Sequence, residues 1–365
     1  MAVSRINEAG LNVNQYGNRN VIINGAMQVA QRGTSSTGLG ATSGYYTVDR
    51  MSTAFNGTAG RLTMTQESIT DLPGFTKCVK LACTTADTSI AAAEYLIFSQ
   101  NIEGQNLQHL AKGTSSAKKL TVSFYVKGNA AATYVCEMQD NNSREISKSF
   151  SVTTSWTRVI LTYDGDTDSG GTIVNSNANG IGLIFWLHAG SNFNSGSAGD
   201  LNTSWSAAGT GTRAAGADSF FDSTSRTLFI TGLQMEVGDT ATDFEHRSFD
   251  DEYRKCLRYY EQWDFPDSGD YTTVMMYNES TSQAIGALNC TVYKRSNPTF
   301  SSTASSWVAV STGSSGTAVS LTANNLEFWG CRLEITNSNT TLVDGGAAYL
   351  RSLNSGCSMA LDAEL

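Results

Sequence analysis

The stretch Leu120-Thr-Val-Ser-Phe-Tyr-Val126 decides how the chain is read. Apolar residues recur there at every second position, the period of a strand with one face on a core. The pattern extends in both directions. Leu62-Thr-Met-Thr-Gln66 alternates upstream, and Thr133-Tyr-Val-Cys-Glu-Met138 and Trp156-Thr-Arg-Val-Ile-Leu-Thr-Tyr163 alternate downstream. Leu228-Phe-Ile-Thr-Gly-Leu-Gln-Met-Glu-Val237 is another strong strand, and Gly182-Leu-Ile-Phe-Trp-Leu187 is apolar throughout, as a strand buried on both faces would be. Loops rich in Gly, Ser, Asn and Asp separate these runs, notably residues 164–179 and 189–216. Such strands and loops predict an all-β chain with two antiparallel sheets face to face, a jelly-roll-like sandwich. No βαβ alternation is present, which argues against doubly wound and TIM-type folds.

Composition agrees. At 365 residues the chain exceeds one average domain, so two packed units are expected. Charged residues make up only 16%, against about 25% in ordinary soluble chains. With 15 Phe, 14 Tyr and 6 Trp to bury and a net charge of -9, the chain does not fit the disordered class. Its nearest approaches to a basic cluster are Lys118-Lys119, Lys294-Arg295 and the mixed segment from Arg254 to Arg258, too little for nucleic acid as the main partner. Residues 181–187, the most apolar run, are too few to span a bilayer, and the first residues lack the apolar core of an export signal. Neither membrane insertion nor export is expected. The seven cysteines are widely spaced with no CxxC, so most are expected as buried free thiols; a Cys78–Cys83 disulfide is the alternative.

One segment breaks the strand period. After Ser248, a candidate cap, acids fill the first turn (Asp250, Asp251, Glu252) and bases follow. Phe249, Tyr253, Cys256, Tyr260 and Trp263 recur at spacings of 4, 3, 4 and 3, with Leu257 beside them. This predicts an amphipathic helix over 248–264 that either lies across the end of the sandwich or meets two other copies along the stripe. The division is then an extended arm over 1–20, free for subunit contact, a sandwich over 21–247, the helix as linker, and a smaller β-domain over 265–365.

Candidate chemistry is sparse. Asp164, Asp166 and Asp168 alternate as at the start of a calcium loop, but Ser169 and Asn175 stand where the EF-hand pattern needs Gly and Glu. A polar connecting loop is the simpler reading. There is no GxSxG, HExxH or GxxxxGK[ST], and only His109, His188 and His246 are available for acid–base work. No enzyme activity and no cofactor are expected. Aromatic rings offer a better lead, because sugar faces stack on indole and phenol rings. Trp205, in a loop context, and Trp307 and Trp329 in the second unit are the candidate glycan contacts, each with core packing as the alternative.

The run Asn20-Val-Ile-Ile-Asn-Gly-Ala-Met-Gln-Val-Ala-Gln-Arg-Gly33, followed by Tyr45-Tyr-Thr-Val-Asp-Arg-Met51, resembles the opening of a family of bacteriophage tail-fibre and receptor-binding proteins. Further pieces keep that family's order, among them Thr231-Gly-Leu-Gln-Met-Glu-Val-Gly238, Ala241-Thr-Asp-Phe-Glu-His-Arg247 and Tyr293-Lys-Arg-Ser-Asn-Pro-Thr299. The family's two tryptophans in the opening motifs are replaced by Ala30 and Met51, so whatever those rings contribute is missing. The resemblance implies a jelly roll similar to carbohydrate-binding modules, a non-enzymatic virion appendage, and a homotrimer whose partners are other tail or capsid proteins and a host-surface glycan. The location it implies is the virion, assembled in host cytoplasm, with virion anchoring as a role for the arm over 1–20. The alternatives are a structural adaptor, head fibre or decoration protein without host binding, or a carbohydrate-active enzyme or its accessory module.

Overall fold

The computed structural model describes residues 18–209, 211–268, 271–311, 319–337 and 342–365. The arm expected over 1–20 lies outside these except for its last three residues. The chain divides into two units, one running to Glu252 and including Leu365, the other spanning Tyr253–Glu364.

The first unit is a sandwich of two antiparallel sheets. One has the order β1 (Ser35–Leu39), β4 (Arg61–Ser68), β5 (Lys77–Thr85), β13 (Thr227–Val237), β7 (Leu120–Gly128) and β10 (Thr157–Tyr163). The other runs β12 (Ser206–Ala207), β9 (Arg144–Val152), β8 (Ala132–Asp140), β11 (Asn179–Ala189), β6 (Tyr95–Glu103), β3 (Ser52–Asn56) and β2 (Gly44–Tyr45). The alternation in Leu120–Val126 becomes an unbroken ladder with β10, from Thr157 opposite Val126 to Tyr163 opposite Leu120. Its inward side chains meet those of the facing sheet. Phe124, Phe150 and Phe185 pack edge to face at 5.0–6.0 Å, a geometry that aromatic quadrupoles favour. Against β7, β13 shifts register between Thr231 and Gln234. Gly232 serves that bulge with φ +63°, and a Cβ there would stand 2.8 Å from Phe75 and 2.9 Å from Tyr125.

The opening motifs prove to be a structural knot. Asn24, itself left-handed, accepts from the Val29 amide and donates to the Val29 and Asp49 carbonyls. Asp49 in turn accepts from the Gln31 amide at 2.8 Å and its side chain at 2.5 Å. Met51 is fully buried, so at that position an apolar side chain still fills the core.

The helix α1 (Phe249–Leu257) is shorter than the expected 248–264. Ser248 caps it by accepting from the Asp251 amide. Tyr260 and Trp263 belong instead to a strand, β14 (Tyr260–Phe265), which corrects the two-heptad stripe. The cause is a partner distant in sequence: β14 pairs residue for residue with β22 (Cys357–Asp362), and that ladder satisfies the backbone as a longer helix would. Trp263 and Phe265 then face the core of the second unit. Of the remaining stripe, Cys256 and Leu257 are buried, Tyr253 is half-buried and Phe249 is exposed.

The second unit packs a three-stranded sheet, β14-β22-β17 (Thr299–Ser302), with a six-stranded one. The latter has the order β18 (Trp307–Val310), β21 (Ala347–Ser352), β15 (Tyr271–Asn278), β16 (Gln283–Asn289), β20 (Gly330–Thr336) and β19 (Leu321–Glu327). Val274, Met276, Trp307, Leu333 and Leu350 point into this core. Lys294 is buried and pairs with Glu261 at 2.6 Å, which gives the Tyr293–Thr299 motif an internal role and removes Lys294 from any basic patch.

All seven cysteines are free, six of them buried. Cys78 and Cys83 are unbridged, and burial pushes the Cys78 thiol up to about 12. No helix among the described residues is long and apolar enough to cross a membrane.

Candidate functional site

Each unit has a sheet whose outer face carries aromatic residues. In the first unit this is the face of β9-β8-β11-β6. Described residues between 190 and 217 fold back over it, and Leu201, Ala214 and Ala215 bury Val135 and Trp186 together with half-buried Tyr95 and Phe193. Beneath this roof, Arg213 reaches both Glu137 and Glu145: its Nε lies 3.0 Å from Glu137 and 2.8 Å from Glu145. The guanidinium also stands over the Trp186 ring at 5.0 Å. Both carboxylates are fully buried. Burial, with Glu137 adding to it, pushes the Glu145 carboxyl up to about 7, against the opposing pull of Arg213. Two acids close together are what glycoside hydrolysis requires. Here they are sealed and share one cation.

In the second unit the described residues leave the outer face of the six-stranded sheet open. Met275 stands opposite Tyr349, and Tyr277 opposite Ile285, so their side chains adjoin across strands on one face. Trp329, in the turn between β19 and β20, lines a groove of about 690 Å³. Arg332 and Asn325 bring hydrogen-bonding groups to its lining. Met275, Tyr277 and Trp329 are 56%, 54% and 48% exposed, unusual for rings and a thioether grouped together.

The structure sorts the three candidate tryptophans. Trp307 is fully buried, its Nε1 donating to the Thr303 carbonyl, which corrects its reading as a glycan platform: the ring is core. Trp205 is half-buried, with Lys112 Nζ 4.1 Å from its ring and its own Nε1 donating to Asp164 O at 2.8 Å. It lids a buried ion network, and the cation takes one face of the ring. Trp329 is the most exposed of the three.

That network accounts for the aspartate loop. Asp166 is bound by Lys112 at 2.8 Å and by Arg144 at 2.7 Å, while Asp140 takes Lys112 at 2.5 Å. Asp164 pairs with Lys119, and Asp168 pairs with Arg144 and caps a short 3-10 turn. The chain's own cations thus hold the approach to Asp166, whose carboxyl lies below its ordinary value: burial opposes the shift, and hydrogen bonds from Arg144 and Lys112 outweigh it. His246, which stands between Glu245 and Arg247 in sequence, packs on Phe244 and Phe75 at 4.9 and 5.2 Å. Sequence reasoning missed the groove and the Glu137–Arg213–Glu145 group. The acids lie on neighbouring strands and the arginine on a distant loop, so no spacing links them.

No family model matches the chain, and no curated protein matches it by sequence. Among solved structures it is similar to the enzymatically active domain of tailspike protein 4 of bacteriophage CBA120, at 11% identity and a TM-score of 0.31, covering 60% of this chain and 22% of that one. It is also similar to a family 61 carbohydrate-binding module in complex with β-1,4-galactotriose, at 10% identity and 0.31, covering 60% and 99%. A family 11 module of a Clostridium thermocellum cellulase follows at 12% and 0.27, covering 58% and 98%. Likeness at this level does not transfer a ligand, and the tail-fibre resemblance rests on the quoted motifs alone.

Proposed function

We propose that the chain is a phage virion appendage, a tail fibre or similar receptor-binding protein, that attaches to the host surface through glycans and performs no catalysis. The observation that carries this reading is the open groove of the second unit. The Trp329 indole offers an apolar face of the kind sugar rings stack on, and Asn325 and Arg332 supply partners for hydroxyls. The ordered motifs from Asn20 to Thr299 supply the virion context. The sealing of Glu137 and Glu145 under residues 190–217 supports binding without bond cleavage. As a homotrimer the protein would present three weak grooves as one linked set, so that avidity compensates for modest affinity at each.

A second reading has its own observation. Met275, Ile285 and Ala287 offer no side-chain hydrogen bond to a sugar and suit a protein partner, either another copy or a virion neighbour. Binding of the purified protein to host cells and to extracted surface polysaccharide separates the two. Trp329→Ala is expected to weaken each groove about 3–10-fold, the loss of one stacking contact, while Trp205→Phe leaves binding intact. Host binding unchanged in Trp329→Ala removes the groove from the account. Absent host binding together with a smaller oligomer in that variant favours the structural protein.

A further inference from the structure

Three side chains from separate segments converge at one end of the first unit. Asp87 and Glu94 stand near the two ends of the loop between β5 and β6, and His188 stands near the end of β11. Their ligand atoms lie within 4.8 Å of one another, and all three residues are buried. A strand irregularity aims the imidazole. β11 pairs Trp186 with Ile97 but His188 with Leu96, so one extra residue is accommodated and His188 turns to the side of core residue Leu96, its ring 5.3 Å from that of Phe221.

The hydrogen bonding there is incomplete. His188 Nδ1 is 2.7 Å from Ser219 Oγ, but Nε2, in a side chain with no exposed surface, has no partner. Glu94 Oε2 is also unpartnered. These two orphan atoms lie 3.7 Å apart, too far for a hydrogen bond. Asp87 accepts from Thr58 Oγ1 at 2.7 Å and from the Ala59 amide at 2.8 Å. Among the described residues no Lys or Arg pairs with Asp87 or Glu94, whereas buried Asp140, Asp166 and Glu261 each have a lysine.

We propose that Asp87, Glu94 and His188 form a binding site for a zinc-class divalent ion. Imidazole nitrogen and carboxylate oxygen bind zinc at about 2.0–2.2 Å, so neighbouring tetrahedral ligands stand roughly 3.3 Å apart, a small side-chain adjustment from the present spacing. His188 ligates through Nε2 while Nδ1–H donates to Ser219 Oγ, the outer contact that fixes the tautomer of a ligating histidine. The carboxylates balance the ion's charge, and water takes the fourth position. Calcium and magnesium, which select oxygen ligands, do not use the imidazole. The bound ion clamps the β5–β6 loop to the end of β11.

The test uses the full chain after dialysis against a chelator. Elemental analysis and calorimetric titration should return one zinc per chain. A hundredfold excess over the dissociation constant should raise Tm by roughly 5 °C or more. Cobalt(II) in place of zinc should show the visible bands of a low-symmetry four-coordinate site. Glu94→Gln and His188→Gln should each lose stoichiometric metal while keeping the far-ultraviolet spectrum of the parent. Should a variant fail to fold, the wild-type stoichiometry and cobalt spectrum still decide. Substoichiometric zinc in folded wild type, uptake of calcium in preference to zinc, or unchanged zinc in a folded His188→Gln protein would each overturn the site.

Discussion

The two units treat the same problem in opposite ways. Each has a sheet with an inward face on its own core and an outward face that carries aromatic residues. The first unit covers that outward face with residues 190–217, so Trp186 is buried although it lies on the far side from the main core. The second leaves Met275, Tyr277 and Trp329 uncovered. A covered face adds to stability and presents no ring. An uncovered one gives up that burial and keeps a surface for recognition. Strand pattern alone makes the units look alike; the loop separates them.

Substitution of the two outward tryptophans should sharpen the contrast most. Trp186→Ala is expected to cost about 3–5 kcal/mol in denaturant unfolding, through loss of contacts and the cavity left under the roof. Trp329→Ala should stay within roughly 0.5 kcal/mol, because its ring is half in water already. Comparable losses at both positions would show that the groove is structural. The next effect is in pH. The Glu145 carboxyl sits at about 7, above its ordinary 4.5, so the folded unit holds a proton that the unfolded chain releases. The stability this brings is present in full below 4.5 and is lost as pH rises through 7. Tm should therefore fall between pH 5 and pH 8, by the equivalent of about 1–3 kcal/mol, and Glu145→Gln should flatten the profile. The weaker electrostatic effect belongs to Arg332, whose ion pair with Glu279 at 2.9 Å is more than a third exposed to water. Arg332→Ala should change stability by about 0–1 kcal/mol, measured in the same unfolding experiment.

Most strands were legible because burial on one face imposes alternation whatever the neighbours are. The helix boundary was not. Tyr260 and Trp263 continue the 4-3-4-3 spacing, and only the ladder with Cys357–Asp362 tells them apart from another helical turn. Ring exposure was illegible for a similar reason: Trp205 is covered by Lys112, a residue far away in sequence, while the adjacent pair Met275-Met276 hides which methionine faces out. The Asn20–Gly33 and Tyr45–Met51 runs were legible as a pair, and the Asn24–Asp49–Gln31 hydrogen bonds give a physical reason for them to go together. The meeting of Asp87, Glu94 and His188 depends on a bulge in β11, which no residue type announces.

Strand β13 occupies an interior place in its sheet, between β5 and β7, though β8 to β12 all precede it in the chain. Until it docks, β5 and β7 each present a bare edge able to pair with another molecule. The first unit thus has a nonlocal closing step, which slows its assembly and makes the half-built sheet the species most prone to aggregate. High yield of such a protein will depend on how quickly Thr227–Val237 finds its slot.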